Sequence, residues 1–169
     1  MQNLQPFSAT TATSLGFRHG AISAVPIRMN EKANALAERL KQFATRVVRF
    51  ARALPPDPPS QAIARQLAKS GTGQAANYHS ARRARSRADF ISKLAVAAEE
   101  ADETENWFGI IANAHIVSTT AGLRELHWLS DESRQLRAIL VASVKTARAN
   151  YARSHNKSSN KSSNISSDP

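Results

Sequence analysis

Between residues 36 and 54 the apolar side chains Leu36, Leu40, Phe43, Val47, Phe50 and Leu54 fall in steps of four and three. That spacing lays them along one face of an α-helix, whereas a half-buried strand would need a period of two. The same spacing returns in Phe90, Leu94, Ala97, Ala101, Thr104, Phe108 and Ile111, and again in Leu126, Leu129, Ser133, Leu136, Leu140, Ser143 and Ala147. A further segment begins with Ile63 and Leu67 but continues through Ser70, Gln74 and Asn77, a far more polar seam that needs hydrogen-bond partners. Four amphipathic helices, each in want of a partner face, predict an all-α, antiparallel up-and-down four-helix bundle.

Local chemistry places the boundaries. Asn30 is a plausible N-cap for the first helix, and Pro55, Pro56, Pro58 and Pro59 stop it, because proline lacks a backbone donor and biases its predecessor away from α geometry. Ser60 is placed to cap the second helix. Continuing that helix past Ala81 puts Ala84, Ala88 and Ile91 about one residue out of phase with the third stripe, about 100° of rotation, so a break is expected near residues 84 to 86. Ser86 and Asp89 fit an S-x-x-D box opening the third helix. The expected helices are about 31–54, 60–84, 87–114 and 123–152, within one bundle domain spanning 30–153. Trp107, Trp128 and Val141 lie beside the main stripes and are assigned to a broader core face, with a subunit-facing stripe as the alternative.

Both ends read as tails. Residues 1–29 have no acidic side chain, scattered Ser and Thr and no clear period, and are expected to be a disordered extension. Their composition fits a transit peptide or an untranslated leader; the second is favoured because the helical signal opens directly after Met29. Residues 154–169, rich in Ser and Asn, are expected to form a disordered low-complexity tail.

The absence of cysteine excludes disulfides, thiolate zinc sites and a cysteine nucleophile, and fits a reducing, cytoplasmic setting. No apolar run approaches the ~20 residues that span a bilayer. The carboxylates Glu99, Glu100, Asp102, Glu103 and Glu105 invite a di-metal or acid–base reading, but Glu-x-x-His, which a di-iron bundle needs on two helices, occurs nowhere. The five histidines show no metal-ligand spacing, and Ser70 to Gly73, reading SGTG, lacks the Lys-Ser/Thr of a phosphate-binding loop. No catalytic residue, metal or cofactor is expected. A proton-transfer role for the Glu100 and Glu103 pair is the weaker alternative to a face that pairs with arginines.

The cations are more informative. Lys and Arg number 23 against 13 Asp and Glu, a net charge of +10, which favours polyanionic partners. In an up-and-down bundle the start of helix one, the turn between helices two and three and the end of helix four share one end. That end gathers Arg82, Arg83, Arg85 and Arg87 of the run RRARSR with Lys145, Arg148 and Arg153, and only Glu31 and Asp89 as nearby acids. Arg46, Arg49 and Arg52 form a second basic run further along helix one. Sequence-nonspecific phosphate contact, with RNA favoured, is the leading expectation; a merely solvated end, with arginines meeting the C-terminal dipole of helix two, is the alternative. No aromatic residue interleaves RRARSR, so that run offers no platform for base stacking.

The segments ERLKQFATRVVRFARALP, IARQLAKSGTGQAANYHSARRARSRADFISKLAVAAEEADETENWF and SDESRQLRAILVASVKTAR resemble the four-helix bundle proteins named for intervening sequences in bacterial 23S ribosomal RNA genes. The resemblance spans roughly residues 31–152. Its most specific part runs from Ser70 through Ala75 to Asn77, the arginine segment, Phe90, Lys93, Leu94, Glu100, Ala101, Glu103 and Thr104 to Trp107. Gly73 and Gln74 depart from the family pattern, where a serine and an aliphatic residue are expected, and put a loosened helix or a polar group at a subunit interface in prospect. The resemblance implies an antiparallel four-helix bundle, with ring-shaped pentamers among similar proteins and no established activity for most, and the expectation for this chain is a nonenzymatic homo-oligomer. A related branch, the accessory variability determinant of diversity-generating retroelements, binds nucleic acid and partners a reverse transcriptase, so a protein-interaction scaffold is the alternative function. Within this segment Ser70, Asn77, Glu100, Glu103 and Thr104 read as structural polar ties, with Ser70 and Asn77 bonding to Glu100, Glu103 or Thr104 across the helix-two to helix-three hairpin.

Overall fold

The structure is a computed structural model that describes residues 27–163, with side chains over 31–156. Four α-helices follow one another: α1 (Ile27–Arg52), α2 (Pro58–Ala81), α3 (Arg87–Asn113) and α4 (Thr120–Ser163). Each packs along its sequence neighbour, and α1 meets α4 more sparsely to close the bundle. The expected extension before residue 27 and the end of the tail after 163 lie outside the described residues.

The stripes became the core. Leu40, Phe43, Val47, Phe50 and Leu54 from α1 and its exit, and Leu94, Ala97, Ala101, Thr104, Phe108 and Ile111 from α3, are all buried. Phe108 sits between Phe43 and Phe50, with ring centroids 6.4 and 6.0 Å away. These edge and tilted contacts suit the ring quadrupoles. In α4 the buried set is Leu126, Leu129, Ser133, Leu136, Leu140 and Val144. Val144 takes the place expected for Ser143, since a step of four carries the more apolar residue inward. Trp107 and Val141 pack against the core as a broader face, but Trp128 does not join them and is 41% exposed.

Several helix limits differ from expectation. Helix α1 begins at Ile27, so Asn30 lies inside it rather than capping it. Asp57, not Ser60, caps α2: its Oδ1 accepts the Ser60 N–H at 3.0 Å, with Pro58 and Pro59 in the first two helical positions. Proline is suited there because those N–H groups have no intrahelical acceptor, which frees Ser60 to be buried. Helix α2 stops at Ala81, where Arg82, Arg83 and Ala84 close it with short-range bonds to Tyr78, Ser80 and Ala81 carbonyls. The break falls where the shift in the stripe predicts it, and Ser86 caps α3 by accepting the Asp89 N–H at 3.1 Å. At the far end of α3, His115 adopts φ 50°, Ile116 N–H reaches the Ile111 carbonyl and His115 N–H the Ala112 carbonyl. That pairing is a Schellman closure, with histidine where glycine is commonest. Helix α4 starts at Thr120, three positions before the expected 123, with Thr119 Oγ1 accepting the Gly122 N–H. It also continues beyond the expected limit at 152 to Ser163, because extending an existing helix is far easier than nucleating one.

The polar seam lies inside the bundle at Ser70 and Gln74, whereas Asn77 is only half-buried and Tyr78 takes the inward place. Ser70, Gln74, Thr104 and Ser133 are fully buried. The tie across α2 and α3 is Gln74, whose Nε2 donates to Thr104 Oγ1 at 3.3 Å, while Thr104 donates to the Glu100 carbonyl at 2.7 Å. Gln74 therefore faces α3, not a subunit interface. Ser70 and Asn77 bond within α2, to the Gln66 and Gly73 carbonyls, and Glu103 accepts the Trp107 indole N–H at 3.1 Å on its own helix. None of the expected bonds from Ser70 or Asn77 to α3 forms; of the five expected ties only Thr104 bonds across helices, and its partner is Gln74. The others stay local because a neighbouring carbonyl one turn away needs no particular approach of the second helix.

Candidate nucleic-acid interface

The bundle's connectivity brings the start of α1, the α2–α3 turn and the late part of α4 to one end. Tyr78 Oη donates to the Ala33 carbonyl at 3.5 Å and Arg82 Nη2 donates to Asn34 Oδ1, which ties the end of α2 to the start of α1. Across the turn, Arg87, Phe90 and Ile91 of α3 face Ala147, Asn150 and Tyr151 of α4 around a shared groove. Seven expected cations, Arg82, Arg83, Arg85, Arg87, Lys145, Arg148 and Arg153, are all exposed here.

Among the described residues, none of those seven side chains has a carboxylate within ion-pair distance. Asp89 is the acid at the junction, and it is occupied. Its Oδ2 accepts from Lys93 Nζ at 2.8 Å and from the Arg85 N–H at 3.0 Å. The Lys93 hydrogen bond, then that backbone donor, hold its carboxyl below the usual range. Asp89 thus anchors the turn's backbone and makes its ion pair with Lys93, while the Arg85 charge acts on it only from beyond ion-pair distance. Arg87 occupies the first position of α3, where the positive end of the helix dipole adds to its own charge.

Arg46 and Arg49 lie elsewhere. They stand about 18–22 Å along α1 from Asn34, toward the opposite end. Arg46 is consumed internally: its Nε and Nη2 donate to the two Glu125 oxygens at 2.5 and 2.7 Å, and its guanidinium carbon sits 3.6 Å from the Trp128 ring centroid. The Arg46 hydrogen bond holds the Glu125 carboxyl below its usual range. Arg49 is exposed beside Phe50 and Val117 at the α3–α4 turn. The structure therefore separates these two from the cationic end. Sequence spacing could not, because the partner of Arg46 is 79 positions away.

The acidic run divides by helix face. Asp102 Oδ1 accepts from Arg137 Nε at 2.6 Å, and Glu105 stands 3.2 Å from the same nitrogen. Glu100 faces α2, where Gly73 leaves room for it; a Cβ at Gly73 would come within 2.7 Å of the Glu100 carboxyl carbon. Burial foremost, then the Glu103 charge, pushes the Glu100 carboxyl up. Among the described residues no group of three or more His, Asp or Glu side chains is arranged to hold a metal ion. No helix there is long and apolar enough to cross a membrane.

Fold and surface together define a four-helix bundle with one strongly cationic end. The chain is similar to a protein of unknown function from the S23 ribosomal protein family of Bacteroides thetaiotaomicron, known from its crystal structure. The two are 29% identical, superpose with a TM-score of 0.60, and the match covers 68% of this chain and 98% of that one. No protein-family model matches the sequence, and no curated protein does.

Proposed function

We propose that this chain is a nonenzymatic nucleic-acid-binding bundle, kin to the S23 ribosomal and 23S intervening-sequence proteins, that holds the phosphate backbone of RNA at its cationic end without reading sequence. The observation that carries this reading is the set of seven exposed cations on three helical segments with no carboxylate paired to any of them. Elsewhere Arg39, Arg46, Arg134 and Arg137 each have an acidic partner, while Arg49, Arg52, Arg65 and Arg124 are exposed and have none, so what marks this end is the crowding of its cations. An exposed, unneutralised cluster lowers its own repulsion by releasing the counterions of a polyanion. Glu100 and Glu103 support the nonenzymatic part, since one is packed against α2 and the other engages Trp107.

The scaffold alternative, with a reverse transcriptase or copies of this chain as partner, would draw on a contiguous apolar surface. Leu123 and Trp128, two of the exposed large apolar residues, are five positions apart on α4 and so point about 140° apart. They do not make one patch.

Replacing Arg82, Arg83, Arg85 and Arg87 together by Ala should weaken RNA binding and lower the salt slope of log K by about 3, near the ~0.7–0.9 expected per phosphate contact. Fluorescence anisotropy over a salt series measures both. Unchanged affinity and slope would remove this function.

A further inference from the structure

The groove between the start of α3 and the late part of α4 encloses about 420 Å³ and is lined by Arg87, Phe90, Ile91, Ala147, Asn150 and Tyr151. That volume lies within the ~300–1,000 Å³ typical of sites for organic ligands. Phe90, Ile91 and Ala147 are half-buried and present apolar surface, and Tyr151 adds a half-buried ring. One turn further on, the His155 ring stands 4.4 Å from Tyr151 at 66°. Arg87 lines the groove, while Arg148 and Arg153 are exposed on the α4 turns on either side of Asn150 and Tyr151. The arginine run itself carries no aromatic residue; the fold supplies rings from a helix more than 60 positions away.

We infer that this groove receives an unpaired nucleobase, so that the cationic end takes single-stranded nucleic acid in preference to a duplex. The inference rests on the phosphate-binding reading. The occupant follows from the groove's combined chemistry. An apolar floor with a tyrosine ring offers a stacking surface, Asn150 offers both a donor and an acceptor to a base edge, and the surrounding cations require that whatever enters be attached to anions. A strand segment with its base turned inward meets all three demands. In a duplex the bases are stacked on one another, and only phosphates could reach this end. Because every base has a π face, such stacking is tolerant of sequence, which agrees with a grip that does not read it.

The test compares strands that differ only in their bases. Twelve-nucleotide single strands of RNA and of DNA, abasic strands of each with the same number of phosphates, and the matching duplexes are titrated against the full chain by fluorescence anisotropy. Base-bearing single strands should bind about tenfold more tightly than abasic ones, within the range for a single stacked base. Tyr151→Leu should abolish that ratio, and Tyr151→Phe should keep it. Because Tyr151→Leu could disturb α4, the unmodified chain is also irradiated with a strand carrying 4-thiouracil, and crosslinks should map to the peptide holding Tyr151. Equal binding of base-bearing and abasic strands, both lost in the four-arginine variant, would overturn the groove assignment while leaving phosphate binding standing. A ratio unaffected by Tyr151→Leu, or crosslinks confined to other peptides, would also overturn it. Failure of every strand to bind would remove both readings.

Discussion

Gln74 and Glu100 show how a single side chain can be placed by packing in a way its neighbours in sequence do not disclose. Gln74 is fully buried and its Nε2 is bonded to Thr104, but its Oε1 has no partner. Leucine there would keep most of the volume and remove a buried acceptor left without a donor, while Thr104 retains its bond to the Glu100 carbonyl. Gln74→Leu should therefore raise stability by about 1 kcal/mol, within the ~1–3 kcal/mol penalty of an unsatisfied buried group, as read by urea unfolding. Glu100 is a related case with a pH signature. Its Oε2 is buried without a hydrogen bond, and burial and Glu103 raise its pKa above the ordinary value. Between the unfolded value and the raised folded one, the folded chain binds more protons than the unfolded chain, so stability falls as pH rises through that window. Glu100→Gln removes the titration. It should melt higher than the parent at about pH 7 and lose that advantage at about pH 3, where both carboxyls are protonated. An advantage of equal size at both values would mean that the burial of this charge is not what matters.

At the scale of the helices, the apolar period defined α1, α3 and α4, because burial of a stripe is the same demand at the sequence and in the fold; α2 was read from two apolar positions followed by a polar seam. The junction at residues 84 to 86 was legible for a physical reason too: a slip of ~100° in the stripe cannot be absorbed by a continuous helix. Caps were harder. Asp57 rather than Ser60 begins α2 because two prolines can fill the first helical turn, a choice the proline run alone left open. The end of α4 followed from continuity of the backbone, not from any apolar signal in its Ser and Asn residues. The close approach of helices was equally hidden. Gly71 is buried against α1, and a Cβ there would stand 2.6 Å from Val47 Cγ1; Gly73 faces only the tip of Glu100. The two glycines should answer alanine with opposite signs. Gly71→Ala gains about 1 kcal/mol of helix propensity but forces a stiff β-branched core residue to move, at about 1–3 kcal/mol, so it should destabilise. Gly73→Ala should stabilise by up to about 1 kcal/mol, since a flexible carboxylate can swing aside. Chemical unfolding of the two variants side by side measures the difference.

Over the whole molecule, some arginines pair across helices and others crowd one end, and only part of that division was legible in the sequence. The cationic end followed from topology, because up-and-down connectivity brings Arg82 to Arg87 and the late α4 cations together whatever the details of packing. The fate of Arg46 did not, since it depends on which residue of α4 lies opposite α1. The α1–α4 seam carries Arg39 bonded to both Glu132 oxygens at 2.6 and 2.7 Å, and Arg46 bonded to Glu125 and stacked on Trp128. Of the neighbouring helix pairs, α1 and α4 pack most sparsely, so directed polar bonds bear more of their closure than they do elsewhere. Two arginine sets of one chain thus have separable work. Arg46→Ala should lower stability by about 1–2 kcal/mol, from an exposed ion pair of ~0.2–1 and an exposed cation–π contact of ~0.5–1, and should leave RNA affinity at low salt within about twofold of the parent, because Glu125 already neutralises that charge. The four-arginine variant should do the reverse, losing affinity and salt dependence with a melting temperature close to the parent's, since none of its side chains pairs with a carboxylate and the one tertiary bond it loses, Arg82 to Asn34, is exposed. Melting and anisotropy measured on both proteins decide it: if Arg46→Ala alone lowers RNA affinity as much as the quadruple change, the cationic end is not where the polyanion sits.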